Sequence, residues 1–450
     1  MRENKGFWFP DLYFWIFIFL AILSFFLPSF ILPEYRIYGL ILAGLFSSIA
    51  FVISPFYFLL IYFVFFPFSY LLIDRLGFSA LRFGGIFFTL ISIPALLWYQ
   101  RTTKMEITSL GFVIFGFVIT SIISLLSILY TEIKEGYPFY GALLYLGNAV
   151  FYFLLVKFID DFKKLKLAFY VLFIMLLVEG FLAMLEITRY MGVIRVTGTI
   201  GDPNYLGYML LPFTLFSLST AWETKKLGRF FYWASFLFLS TVILITFSRG
   251  ITLALLFSIT IFAFYKKKFW LFFSIIFVLG VITILFLPKS LLVGFSPEFL
   301  VRKRLPSLIL RTYYAKTSLR MLLDYPLIGV GADNFRRMFV RYNEALPPMS
   351  QVVHNSYLEV LSGTGILGFS FFISIIFFVF KNFKKAISIF SKKDEKMKIF
   401  TEGLMFAFLA IAICANTINI QHHLLFWFFI ASSRILSREA EKLTSPDKRV

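Results

Sequence analysis

The stretch Leu12-Tyr-Phe-Trp-Ile-Phe-Ile-Phe-Leu-Ala-Ile-Leu-Ser-Phe-Phe-Leu-Pro-Ser-Phe-Ile-Leu32 decides the fold class. It is apolar almost throughout and carries no charge. It is also long enough for a helix to cross a hydrocarbon core of about 30 Å. In that medium every backbone N–H and C=O must find its partner within the protein, so such a run reads as a spanning helix. No small-residue cleavage site marks its end, so the run reads as a retained first span rather than a leader.

Comparable runs recur along the chain at residues 37–53, 55–73, 84–99, 108–130, 139–157, 167–188, 203–221, 230–247, 250–265, 269–287, 357–380, 402–420 and 423–436. The expected fold is therefore all-α: a polytopic transmembrane helix bundle of about 12–14 helices. It forms a single integral membrane domain over residues 1–450, interrupted by one long loop at 288–356. Composition agrees. Of 450 residues, 60% are hydrophobic and 15% charged, with a mean hydropathy of +0.86. A soluble domain carries roughly a quarter charged residues. The 64 Phe exceed what one soluble core needs. Cys414 is the only cysteine, which excludes an intrachain disulfide or a thiolate metal cluster. It reads as a small apolar residue in a helix.

Orientation follows from the basic residues. The groups Lys157 with Lys163, Lys164 and Lys166, then Lys225, Lys226 and Arg229, then Lys266 to Lys268, fall on alternate turns. The segment from Lys381 to Lys398 and the tail from Arg434 continue the alternation. All are assigned to the cytoplasm, together with both termini; Arg75 and Arg82 run against the rule. The net charge of +19 is scattered over these loops. It fits a positive-inside bias and attraction to anionic lipid, and it does not fit nucleic acid.

With that orientation, four polar features fall on the opposite, outer face. The first is Arg195-Val-Thr-Gly-Thr-Ile-Gly-Asp-Pro-Asn204, a turn-rich segment whose Pro203 suits the first turn of a helix. Free amides at that helix start, with Arg195 beside them, would suit an anion. The second is Ser248-Arg249-Gly250, an arginine between two spans with almost no loop, where a charge calls for a partner. The third is the long loop. Residues 311–323 read as an amphipathic helix, with Thr312, Lys316 and Arg320 on one face and Tyr314, Ala315, Leu319, Met321 and Leu322 on the other. Arg311 falls within the apolar arc. Asp324-Tyr-Pro-Leu-Ile-Gly-Val-Gly331 then ends the helix; its lone Gly-x-Gly lacks the context of a nucleotide fingerprint. The fourth is His354-Asn-Ser-Tyr-Leu-Glu359, which opens a span and supplies an imidazole fit for general-base work. Each feature taken singly also fits a structural role, as a turn, a snorkelling arginine or a packed histidine. His422 and His423 are adjacent and make a poor chelate on a helix.

Taken in order, Arg195…Gly-Asp-Pro-Asn204, Ser-Arg249-Gly, Arg311 with Pro326-Leu-Ile-Gly-Val-Gly331, and His354-Asn-Ser-Tyr-Leu resemble the O-antigen ligase/polymerase superfamily. The resemblance runs from about Arg195 to Leu367. The resemblance implies a lipid-dependent glycosyltransferase of the cytoplasmic (inner) membrane, with its site facing outward. The donor would be a glycan on a polyprenyl pyrophosphate, and the acceptor a hydroxyl of a glycan, lipid or protein. Arg195 and Arg249, with Arg311, would stabilise the departing pyrophosphate. His354 would take the acceptor proton, and direct displacement would invert the anomeric carbon. Asn204, Asn355 and Tyr314 would position substrate. No cofactor and no metal are expected, because the outer acidic residues form no Asp-x-Asp pair. A glycolipid flippase or other transporter of similar helix count is the competing class. Its candidate polar groups are Glu179, Glu186, Asn416 and Asn419.

Overall fold

The computed structural model describes residues 12–30, 36–68, 108–131, 137–189, 195–270, 297–342 and 352–444, with isolated positions between 271 and 296. The run at 84–99, most of 269–287, and Arg75 and Arg82 lie outside the described residues. The described residues form helices and no strand. In chain order these are α1 (Leu12–Phe30), α2 (Arg36–Ile53), α3 (Pro55–Phe65), α4 (Ser109–Ile123), α5 (Tyr137–Phe158), α6 (Phe162–Arg189) and α7 (Pro203–Glu223). They continue as α8 (Lys226–Ile245), α9 (Arg249–Tyr265), α10 (Pro297–Asp324), α11 (Phe335–Tyr342), α12 (Ser356–Lys393), α13 (Glu395–Cys414) and α14 (Leu424–Thr444). A 3₁₀ turn prolongs α4 to Thr131.

Among the described residues, six helices are long and apolar enough to cross a membrane: α4 with its extension, α5, α6, α8, α12 and α13. Along their spans they expose large apolar side chains, such as Phe112, Phe115, Ile174, Phe181 and Phe377, as a lipid-facing surface requires. Helix α7 differs. It is buried without interruption from Leu206 to Ala221 and packs against α8 and α13, so it forms the centre of the bundle. The first half of α14 is equally enclosed, against α12 and α5. At the end of the bundle bearing the lysine loops, Lys266 is not a solvated charge. Its ammonium is half enclosed between Glu223, at 2.7 Å, and Glu402, joining the ends of α7, α9 and α13.

The opposite end carries the long loop. Its helix α10 is longer than the sequence pattern marks, and its buried face is Tyr314, Thr317, Ser318 and Met321. Leu319 is exposed rather than packed, because it lies outside that stripe. A second short helix, α11, went unnoticed in the sequence. Its Phe335, Met338 and Phe339 join Tyr314, Met321, Val330 and Val353 in a small core of their own, separate from the bundle core.

This loop is fastened to the bundle by its backbone. Within α12, Gly365 adopts φ 66°, ψ −170°, which breaks the helix. The freed groups take up the 326–331 segment. Val330 N donates to Ser362 O and Gly331 N to Gly363 O, both at 2.9 Å, and Ile366 N donates to Pro326 O at 2.8 Å. The chains approach so closely that a Cβ on Gly329 would lie 2.4 Å from Ser362 O. The Gly-Val-Gly motif is thus a docking strip rather than a ligand loop.

Candidate active site

Arg195 is held by the turn between α8 and α9. Its Nε donates to Thr246 O at 2.9 Å, and its Nη2 reaches Asn204 Oδ1 at 3.3 Å. The same Asn204 oxygen accepts from Ser248 Oγ at 2.7 Å. Asn204 therefore ties the Arg195 segment to the residue preceding Arg249. That turn is abrupt: Phe247 has a φ of +50°, and α9 begins at Arg249 directly after it. The start of α9 rests on the segment after α13, where a Cβ on Gly250 would meet the Thr417 side chain at 2.7 Å.

The segment carrying Arg195 is held from below by two carboxylates of α6. Glu186 Oε2 accepts the Thr197 and Gly198 backbone N–H groups, each at 2.9 Å. Glu179 accepts Thr199 N and Thr199 Oγ1, each at 2.7 Å. Backbone donors and a hydroxyl thus satisfy the buried Glu179 and the half-buried Glu186, which the sequence offered as transport groups. The amides at the start of α7, which the sequence pattern leaves open to an anion, are already occupied. Asp202 caps the helix, and its Oδ1 accepts Asn204 N at 2.7 Å and Tyr205 N at 3.0 Å.

His354 is placed by both of its neighbours. Val353 belongs to the small loop core, and Asn355 caps α12, its Oδ1 accepting Tyr357 N at 2.9 Å and Leu358 N at 3.1 Å. Between these anchors His354 takes a φ of +52°, a conformation that a non-glycine residue holds only where its surroundings fix it. Tyr314 of α10 faces it, with ring centroids 6.4 Å apart. Burial, and then the nearby Arg311 guanidinium, push the imidazole below its ordinary pKa, while Asp202 pulls the other way. Arg311 is in turn disfavoured as a cation by its own burial and by Arg249.

The arginines and the histidine therefore converge, although they come from four separate parts of the chain. Arg195, Asn204, Ser248 and Arg249 form one linked group. Arg249 bears electrostatically on Arg311, Arg311 bears on His354, and Asp202 is the carboxylate that bears on the imidazole. Asn204 and Asn355 have their side-chain oxygens committed to this framework. No group of three or more His, Cys, Asp or Glu side chains able to hold a metal occurs among the described residues.

The floor of this site was not legible in the sequence. Residues 415–423, between α13 and α14, form a loop rather than the end of one span and the start of another. Ser356 N donates to Ala415 O at 2.8 Å, Ser356 Oγ donates to Ile418 O at 2.9 Å, and Tyr205 OH donates to Asn419 O at 3.2 Å. His422 and His423 lie in this loop, before α14 begins. His423 is buried against Tyr208, with ring centroids 4.8 Å apart, and the His422 ring lies tilted against Tyr145, with centroids 4.3 Å apart. The run of apolar residues around the loop concealed it.

Residues 234–373 match the family described as O-antigen ligase. The matched segment contains Arg249, Arg311, Tyr314, His354 and Asn355, together with the break at Gly365. No curated protein matches the chain.

Proposed function

From the premise that this chain is a member of the O-antigen ligase/polymerase superfamily, we propose that it transfers a glycan from a polyprenyl-pyrophosphate donor to an acceptor hydroxyl. The reaction takes place at the outer face of the cytoplasmic membrane. The observation that carries this reading is the convergence of guanidinium groups around one histidine. Arg249 presses on Arg311, and Arg311 presses on His354. Like charges gathered in a half-buried site call for an anion, and a pyrophosphate supplies one with oxygens that arginine grips in a fork.

The step balances as a displacement. The acceptor oxygen forms a bond to the anomeric carbon while its proton passes to a ring nitrogen of His354. The bond from the anomeric carbon to the phosphate oxygen breaks, and its electron pair leaves on the polyprenyl pyrophosphate. Arg195, Arg249 and Arg311 stabilise the charge growing there. Attack opposite the leaving group inverts the anomeric carbon. His354 is suited to its part because burial and Arg311 keep it neutral, and only the neutral ring accepts a proton. Fixed guanidinium charge does the work that a metal does elsewhere, so no metal is required for transfer.

Transport has no comparable support, since Glu179 and Glu186 serve the Arg195 segment. The experiment that tests the reading uses purified protein in detergent with a lipid-linked glycan donor and excess EDTA. Release of polyprenyl pyrophosphate with formation of a glycosylated acceptor is expected. No turnover by active preparations, or turnover only after Mg²⁺ or Mn²⁺ is restored, would overturn it.

A further inference from the structure

The exposed face of α10 is not the polar face that its sequence pattern marks. Lys316, Leu319, Arg320 and Leu323 recur at three- and four-residue spacing, on the side of the helix opposite the buried stripe of Tyr314, Thr317, Ser318 and Met321. Leu323 is 78% exposed and Leu319 48%, and Leu327, in the turn after the helix, is 64% exposed. Asp324, the acidic residue at this end, accepts from the Tyr342 hydroxyl. Three open leucines beside two basic residues suit a helix lying in a membrane interface, and they do not suit a loop surrounded by water.

Two neighbours fix the depth of this patch. The first is α12. Ile366 N donates to Pro326 O at 2.8 Å, and Leu367 N to Leu327 O at 3.4 Å. Ile366 and Leu367 are themselves exposed, on the span whose Phe377 faces lipid. From Lys381, where the apolar run of α12 ends, the helix rises only about 22 Å to Ile366, at 1.5 Å per residue. A hydrocarbon core is about 30 Å thick, so Pro326 and Leu327 meet α12 within it, and any tilt of the helix lowers them further. Their carbonyls are paired, as backbone at that depth requires. The second neighbour is α4. Tyr325 stacks on Tyr130 with ring centroids 4.6 Å apart, and Tyr130 OH donates to Gly329 O at 2.7 Å. Tyr130 lies at the end of a span that exposes Ile122, Leu126 and Leu129, and tyrosine is enriched at membrane boundaries. The leucine patch is therefore continuous with the lipid-facing sides of two spans.

We propose that the C-terminal end of α10 and the turn after it are immersed in the lipid leaflet at this end of the bundle. Leu319, Leu323 and Leu327 enter the acyl region, and Lys316 and Arg320 meet the phosphates of anionic headgroups. The helix that carries Arg311 and Tyr314 is thereby held by the bilayer as well as by α12. The orientation proposed above makes this the outer leaflet, but the immersion depends neither on that orientation nor on glycan transfer.

The test places a nitroxide spin label at Leu323→Cys in the full chain, in vesicles containing phosphatidylglycerol, and so reads depth and not transfer. Cys414 is buried, and the unsubstituted chain serves as the labelling blank. Collisions with oxygen, which concentrates in hydrocarbon, are compared with collisions with a water-soluble nickel chelate. Phe377→Cys, on the lipid face of α12, and Ser391→Cys, exposed beyond Lys381, are the lipid and water references. The Leu323 label should resemble the Phe377 label, with oxygen collisions several-fold favoured over nickel. Lys316→Glu combined with Arg320→Glu should move it toward the water reference. A Leu323 label as open to nickel as the Ser391 label would overturn the immersion. So would dipolar broadening between labels on two chains, which would show a second copy covering the patch. No shift on charge reversal would overturn the part given to Lys316 and Arg320.

Discussion

Replacing Gly365 by alanine should unfasten the long loop from the bundle. At φ 66°, ψ −170° the residue occupies a region that is nearly exclusive to glycine, where a side chain costs about 1–3 kcal/mol. The added Cβ would lie 2.3 Å from Leu327 O and 2.4 Å from Leu327 C, both backbone atoms that no rotamer change can move. The 326–331 segment must therefore shift, weakening the bonds from Val330 N, Gly331 N and Ile366 N. At roughly 0.5–1.5 kcal/mol each, these three bonds add to the backbone strain for a total of about 2.5–7.5 kcal/mol. Thermal unfolding in detergent, followed by tryptophan fluorescence, reads the loss as a fall in Tm. Gly228→Ala is the control. Gly228 lies in α8 with nothing within 4 Å of an added Cβ, and alanine there should be neutral or stabilising by about 0.5–1 kcal/mol. A Gly365→Ala protein as stable as wild type would refute the fastening.

The pH dependence of kcat/KM should show a limb that rises with pH as His354 loses its proton. Burial and Arg311 lower that pKa, so the midpoint should fall below the ordinary histidine value of about 6.5. Arg311→Gln removes one lowering influence and should move the midpoint upward, and an unmoved midpoint in a donor-saturated assay would count against the pairing. Glu186→Ala leaves the half-buried Thr197 and Gly198 N–H groups without their acceptor, at about 0.5–1.5 kcal/mol for each bond lost. It should lower Tm and weaken donor binding together, through release of the segment that holds Arg195; unchanged values for both would show the tether to be idle.

Much of the helix pattern was readable because a membrane imposes one local rule, an uncharged run of sufficient length. That rule places α5, α7 and α9 within a few residues of the observed boundaries. It fails where backbone conformation carries the information. Gly365 sits inside an apolar run and looks like helix, yet the chain breaks there to receive the loop. Residues 415–423 were read as parts of two spans, because Ile418 and Ile420 are as apolar as the flanking helices. The site residues were legible as residue types. An arginine or histidine at the end of an apolar span is conspicuous, and the matched segment includes Arg249, Arg311 and His354. Their supports were not. Asp202, Ser248 and Glu186 are common polar residues, and nothing in their spacing shows that one caps α7 beside His354, one joins Arg249 to Asn204, and one holds the Arg195 segment. In the sequence Lys266 is only one of the basic loop residues assigned to the cytoplasm, and only folding brings Glu223 and Glu402 to it.

The central claim is a division of labour between arginines that hold the donor and a histidine that moves the proton. It is tested most directly by measuring donor binding and single-turnover transfer separately, in Arg249→Ala and His354→Ala, with purified protein and a lipid-linked donor. Arg249→Ala should weaken donor binding and also slow the step. His354→Ala should bind donor nearly as wild type does and transfer about 10²-fold more slowly or worse, as for loss of a general base. Transfer by His354→Ala at close to the wild-type rate would contradict the account.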